Sequence, residues 1–166
     1  RPSTFHVERS TSIAAAPDAV FAQVNDFHAW AAWSPWGKLD PAMKTAYEGP
    51  ASGVGAIYRW AGNNDVGEGR MTIAKSEKPS QVAIRIDFEK PFAATNDVLF
   101  TFVPAAGGTK VTWAMDGRNN FASKLFSLFM NMDQLIGGNF ETGLAAMKGV
   151  VEGTGPSSAK SAPSSK

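Results

Sequence analysis

Between residues 42 and 118 the chain is cut into short segments in which apolar and polar residues alternate, and this constrains the fold more than any other feature. The segments read MKTAYEG, GAIYRW, GRMTIAKS, QVAIRIDF, DVLFTFV and KVTWAMDG. Successive side chains on a strand point to opposite faces. Val82, Ile84, Ile86 and Phe88 therefore share one face, and Ala83, Arg85 and Asp87 the other. Between the segments stand Gly49-Pro50, Gly62-Asn63-Asn64-Asp65, Lys78-Pro79, Lys90-Pro91 and Gly107-Gly108. Strands of this length joined by tight turns predict an antiparallel meander with one buried and one wetted face.

The apolar face of such a sheet needs a cover. Residues 120–152 offer one, because Leu125, Phe129, Met132, Ile136, Phe140, Leu144, Met147 and Val151 recur at steps of three or four. That is the stripe of an amphipathic helix. At about 1.5 Å per residue it would run roughly 50 Å, with Asn119 or Asn120 as its cap. Gly137-Gly138 interrupts it. Each glycine costs about 1 kcal/mol relative to alanine in a helix, so the pair predicts a kink or a close approach to the sheet. The helix start, FASKLFSLFMNM, is apolar on nearly every side. A surplus of this kind fits a ligand, a lid, a partner or a membrane surface.

Ahead of the meander, FHVERSTSI at 5–13 reads as a first strand and AAAPDAVFAQVND as a short helix. Pro17 suits a first helical turn, Asp18 favours the positive helix end, and Val20, Phe21 and Val24 give it an apolar face. HAWAAWSPWGKLDP follows, carrying three of the five tryptophans. Trp30 and Trp33 share a face of one helical turn. Ser34 precedes a proline and is biased out of helix, so the turn should end there with Trp36 on the way out.

Several function classes are excluded early. The 166 residues suit one domain. A formal net charge of +1 with no run of basic residues argues against a phosphate-tracking nucleic-acid surface. With no cysteine and two histidines, thiol chemistry is impossible and a histidine metal cluster is not expected. No apolar run reaches the length of about 18 residues that a membrane span needs.

The order strand, two short helices, six strands, long helix resembles the START-like or SRPBCC superfamily. Within it the chain is similar to the bacterial polyketide cyclase/dehydrase and lipid-transport branch. The resemblance is carried by Ile13, Ala15, Pro17 and Val20-Phe21 in IAAAPDAVF, by WAAWSPWGKLDP, by VGEGRMTI, and by IGGNFETGLAAMK at 136–148. It implies an α+β helix-grip fold over residues 5–152: a curved seven-stranded antiparallel sheet wrapped around a long C-terminal helix, with two short helices between strands 1 and 2. Residues 1–4 are then a flank and 153–166 a disordered tail. The branch often has a hydrophobic segment before the first strand. The chain opens on Arg1-Pro2 rather than methionine, so the resemblance implies an N-terminal anchor or signal and a route to membrane association. Compartment and oligomeric state are left open.

A helix does not match the shape of a concave sheet, and the gap between them is filled by large side chains or by a ligand. The expected ligand-facing set is Trp30, Trp33, Trp36, Tyr58, Trp60, Met71, Phe100, Phe102, Trp113, Met115, Phe129, Met132, Ile136 and Phe140. Each also has a plainer reading as packed core, and the three tryptophans as either a plug or the rim of a pocket mouth. Polar groups that could face inward are Arg59, Glu68, Arg70, Asp116 and Glu141, with His28 beside the tryptophan turn. None forms a nucleophile–base pairing or a pair of carboxylates on one element. Gly67-Glu68-Gly69 fits a bulge or a close backbone approach better than a nucleotide loop. The resulting expectation is non-enzymatic binding or transport of a hydrophobic small molecule, lipid-like or polyketide-like, without metal or cofactor. A cyclase/dehydrase-type enzyme is the first alternative. A protein-interaction module like the chaperone activators, using Phe126 and Met130, is the second.

Overall fold

Strict alternation on the central strands yields a sheet with two chemically distinct faces. The computed structural model describes residues 5–64, 66–90, 93–117 and 132–153. Seven strands form one antiparallel sheet: β1 (Phe5–Ile13), β2 (Lys44–Glu48), β3 (Ile57–Ala61), β4 (Glu68–Glu77), β5 (Gln81–Lys90), β6 (Ala94–Ala105) and β7 (Gly108–Gly117). They lie in the order β1-β7-β6-β5-β4-β3-β2, a meander with the first strand returned beside the last. Val82, Ile84, Val98, Phe100, Phe102, Val111 and Trp113 are buried on the concave face. Leu99 and Val103, of the opposite parity, are exposed.

The cover is helix α3 (Met132–Glu152). Phe140, Leu144 and Met147 point into the sheet and are essentially inaccessible to water. At about 2 kcal/mol for each such side chain, these three contribute roughly 6 kcal/mol to docking. Polar ties fix the helix against β1. Arg9 Nε donates to Glu141 at 2.7 Å. In the last turn Lys148 Nζ reaches the Ser12 carbonyl and Glu152, each at 2.8 Å, and Glu152 accepts the Ala14 N–H at 2.7 Å. The bonds from Lys148, and then from Ala14, hold the Glu152 carboxyl below its usual range. Gly153, at φ +78°, ends the helix in the left-handed conformation open to glycine.

The Gly137 break is a close approach. A Cβ on Gly137 would stand 2.3 Å from Arg9 Nη2. The helix predicted to begin near residue 120 is described from Met132; its first part lies outside the described residues, as do the flank and the tail beyond Gly153.

Between β1 and β2 the chain makes α1 (Pro17–Asn25), a 3-10 turn (Phe27–Ala32) and α2 (Trp36–Leu39). Ser34 is not helical, but the chain does not simply leave there. Pro35 takes helical angles and heads α2, so Trp36 begins a second turn instead of trailing from the first. A proline disfavours helix at the residue before it and is well suited to the first position of a new one.

Candidate functional site

The concave face is filled at one end and half-open at the other. The filled end is aromatic and centres on Trp113. Its ring stacks on Phe140 at 4.0 Å, on Phe100 at 4.9 Å and on Trp36 at 5.9 Å, and meets Trp33 edge-on at 5.5 Å. Trp30 joins through Trp33 at 4.6 Å, and Phe102 through Phe100 at 6.4 Å. Trp30 and Trp33 are buried. Their indole N–H groups donate to the carbonyls of Val24 and Gln23, each at 3.0 Å. Those carbonyls belong to the last turn of α1, where intrahelical partners run out. The two tryptophans thus close the end of α1 and plug the sheet. Trp36 is half-buried beside them. On the outer side, an open cleft of about 280 Å³ lies between Trp33, Pro35 and Lys38 on one wall and Thr142 and Ala146 of α3 on the other.

The half-open end follows one row of the sheet register. Tyr47 pairs with Tyr58, Tyr58 with Met71, Met71 with Ile86, Ile86 with Asn96, Asn96 with Gly117, and Gly117 with Phe5. Tyr47, on edge strand β2, is 42% exposed; Tyr58, Met71 and Ile86 are half-buried. Asn96 is wholly buried. At about 4.8 Å per strand, Tyr58 to Asn96 is roughly 14 Å. Among the described residues the result is a candidate trough, an apolar row half-buried at its outer end with a buried polar group at its inner end. Ile136 of α3 is half-buried as well. In the neighbouring row Trp60 is buried, gives its N–H to the Val66 carbonyl at 2.8 Å and meets Phe88 edge-on at 5.9 Å.

Two buried polar atoms of this face have no partner: Asn96 Oδ1 and Trp113 Nε1. Asn96 Nδ2 reaches only the Met115 sulfur, at 3.6 Å. A buried unpaired polar group costs about 1–3 kcal/mol. Burial, then the neighbouring Tyr47, pushes the Tyr58 phenol up to about 12. Its hydroxyl therefore stays protonated at neutral pH, available as donor and acceptor.

The polar residues that the sequence offered as inward groups lie elsewhere. Arg59 and Arg70 pair in register, opposite in parity to Tyr58 and Met71, and so stand on the convex face. Arg59 bonds Glu48 at 2.6 Å and Arg70 contacts Asp87 at 3.4 Å. Burial alone would raise Asp87, but hydrogen bonds from Thr95, Arg85 and Arg70 outweigh it and hold the carboxyl below its usual range. Glu68 lies beside Lys90. Glu141 is taken by Arg9. His28 stacks on Tyr47 at 3.9 Å and bonds Asp26 at 2.8 Å at the surface. Asp116 accepts from His6 Nδ1 at 2.6 Å, on the face away from the trough.

The His6 contacts make a checkable pH effect. Its imidazole lies between Asp116 and Glu8, and hydrogen bonds to Asp116 first and Glu8 second raise it above the ordinary histidine value of 6.5. A histidine raised on folding adds stability that is complete below the unfolded value and fades as pH climbs through the folded one. Half the ring is in water, so the effect is small. Unfolding midpoints should fall slightly from about pH 6 to about pH 8, and His6→Gln should flatten that step.

Of the expected ligand-facing set, then, Trp30, Trp33, Phe100, Phe102, Trp113 and Phe140 pack on one another, with Trp36 at their margin. Tyr58, Met71 and Ile136 flank the half-open part, with Trp60 and Met115 buried next to it. Phe129 lies outside the described residues, and Met132 is the first described residue of α3. Ile86, Phe88 and Asn96 were not in that set and lie on the same face, Asn96 sharing the parity of Val98, Phe100 and Phe102. Among the described residues no cluster of histidine and carboxylates is placed to hold a metal, and no helix is long and apolar enough to cross a membrane.

The family model described as "Polyketide cyclase / dehydrase and lipid transport" matches residues 4–152. No curated protein matches the chain. Solved structures do. A protein of Chromobacterium violaceum aligns with a TM-score of 0.63 at 13% identity, covering 92% of this chain and 99% of that one. Ara h 8.0201 aligns at 0.55 and 13%, covering 89% and 97%. The di-domain ARO/CYC StfQ from the steffimycin biosynthetic pathway aligns at 0.67 and 10%, covering 90% of this chain and 51% of its own. At these identities the likeness is one of fold.

Proposed function

The chain belongs to the polyketide cyclase/dehydrase and lipid transport family, and from that premise we propose that it binds a hydrophobic small molecule along the trough between sheet and α3. The observation that carries the reading is the row Tyr58–Met71–Ile86, half-buried apolar side chains inside an otherwise closed concave face. Covering about 300 Å² of ligand surface there would release roughly 7 kcal/mol before the costs of association. Binding of this kind needs few polar groups. That agrees with the positions of Arg59, Glu68, Asp116 and His28, none of which supplies the interior acid or base that a cyclase or dehydrase reading asked of them. Residues 126 and 130, on which the interaction-module reading rested, lie outside the described residues.

The test is solvent extraction of purified protein with mass spectrometry, followed by titration with fatty acids, fatty alcohols and fused-ring aromatics. A co-purified lipid-like or polyketide-like compound is expected. So is micromolar binding that Ile86→Arg weakens at least about tenfold, since it puts an unpaired cation in an apolar wall. Absence of both a bound compound and any binding would overturn the reading.

A further inference from the structure

Val98, the next concave-facing residue on β6, is apolar, as are Phe100 and Phe102 beyond it. At the closed end of the trough the same strand places Asn96, with none of its surface exposed. Its carboxamide is nearly unspent: Oδ1 has no partner, and Nδ2 meets only a thioether, a weak acceptor. The row on either side gives it none, since Ile86 and Gly117 are its register partners and the Phe5 ring occupies the space a Gly117 side chain would take. A position selected for packing alone would carry leucine or valine, because a buried polar group left unpaired is destabilising.

We infer that Asn96 is the specificity-determining residue of the trough: it selects apolar guests that carry one uncharged hydrogen-bonding group, a hydroxyl or a carbonyl, at their leading end. The inference rests on the binding reading above. An uncharged group is favoured because, among the described residues, no free cation faces Asn96. Arg9, which shares the concave parity of β1, is held by Glu141, and Asp87, Thr95 and Asp97 are of the opposite parity to Asn96 and its partner Ile86. A carboxylate entering here would be buried without a counter-charge. A hydroxyl suits the site best, because it can give a proton to Oδ1 and accept one from Nδ2.

The experiment compares two pairs by calorimetric titration of the full chain: 2-naphthol against naphthalene, and 1-decanol against decanoate. Hydroxylated members should bind about tenfold more tightly in any pair that binds, the scale of one buried hydrogen bond. Naphthol is the more water-soluble of its pair, so a preference for it cannot come from hydrophobicity. Asn96→Leu should abolish the preference, retain naphthalene binding, and raise the melting temperature of the ligand-free protein by about 2–6 °C. A structural asparagine would do the reverse and lower it. Asn96→Ala is the second variant should leucine overpack the site. Binding without preference, or a preference that survives both substitutions, overturns this inference and leaves the binding reading standing. Failure of all four compounds to bind, with no compound co-purified, removes both, and a co-purified guest without a hydroxyl or carbonyl overturns this inference alone.

Discussion

Replacing Trp113 with alanine should lower the unfolding free energy by about 3–5 kcal/mol, the range for removing a large aromatic from a core that cannot fully collapse. Melting should fall by about 10–15 °C for a domain of this size. The reason is position. Trp113 is 3% exposed and contacts Phe140 on α3, Phe100 on β6, Trp33 on the 3-10 turn and Trp36 on α2. One side chain thus joins the helix, the sheet and the connection between β1 and β2. Helix α3 fits over it because a Cβ on Gly143 would come within 3.0 Å of the indole. Trp113→Phe is the matched control. It keeps a ring between Phe100 and Phe140 and removes an N–H that has no partner. The smaller ring leaves a void, and relief of the orphan donor offsets part of that cost, so its loss should stay below about 1.5 kcal/mol. Equal losses for the two variants, measured by denaturant unfolding, would show that this end of the sheet is not held by the aromatic stack.

Residues whose role follows from periodicity were readable in the sequence, and residues whose role follows from tertiary fit were not. The six segments of the meander correspond to β2–β7, and the stripe Phe140, Leu144, Met147 marks the buried side of α3. At Gly67-Glu68-Gly69 the β4–β5 register shifts between Glu68 and Gly69, leaving Glu89 of β5 as the extra residue, and Gly69 makes the close backbone approach. Arg59 illustrates a signal present but overridden. In GAIYRW it alternates with Tyr58 and Trp60, so once those two face inward it must face out. Asn96 illustrates the converse. Asparagine is rare within strands, and in ATNDVLFTFV its parity with Val98, Phe100 and Phe102 is the only sign that it is buried. Alternation tells which face a side chain joins. It does not tell which neighbours close over it, and so could not separate the stacked cluster around Trp113 from the half-buried row at Met71 and Ile86.

Gly69→Val should cost about 3 kcal/mol, the upper part of the range for forcing extra carbon into a packed site. A Cβ at Gly69 would stand 2.4 Å from the Asp87 carbonyl oxygen, 2.9 Å from the edge of the Trp60 ring and 3.1 Å from Phe88 Cα. A flexible side chain could swing away from such a contact, but two of these three atoms are β5 backbone, so the strands themselves must part. Gly69 pairs with both Trp60 and Phe88, and the bulge begins beside it. Separation there would loosen β3 and β4, and with them Tyr58 and Met71, the outer half of the trough. Amide exchange should therefore accelerate on β3–β5 while Phe140, Leu144 and the β1–β7 pairing keep their protection. Gly138→Ala is the comparison: nothing lies within 4 Å of a Cβ there, and the helix should gain up to about 1 kcal/mol from the better helix former. Were Gly69→Val to unfold at the wild-type midpoint, β4 and β5 would have room the structure denies them, and the close approach inferred from VGEGRMTI would not be what shapes the trough.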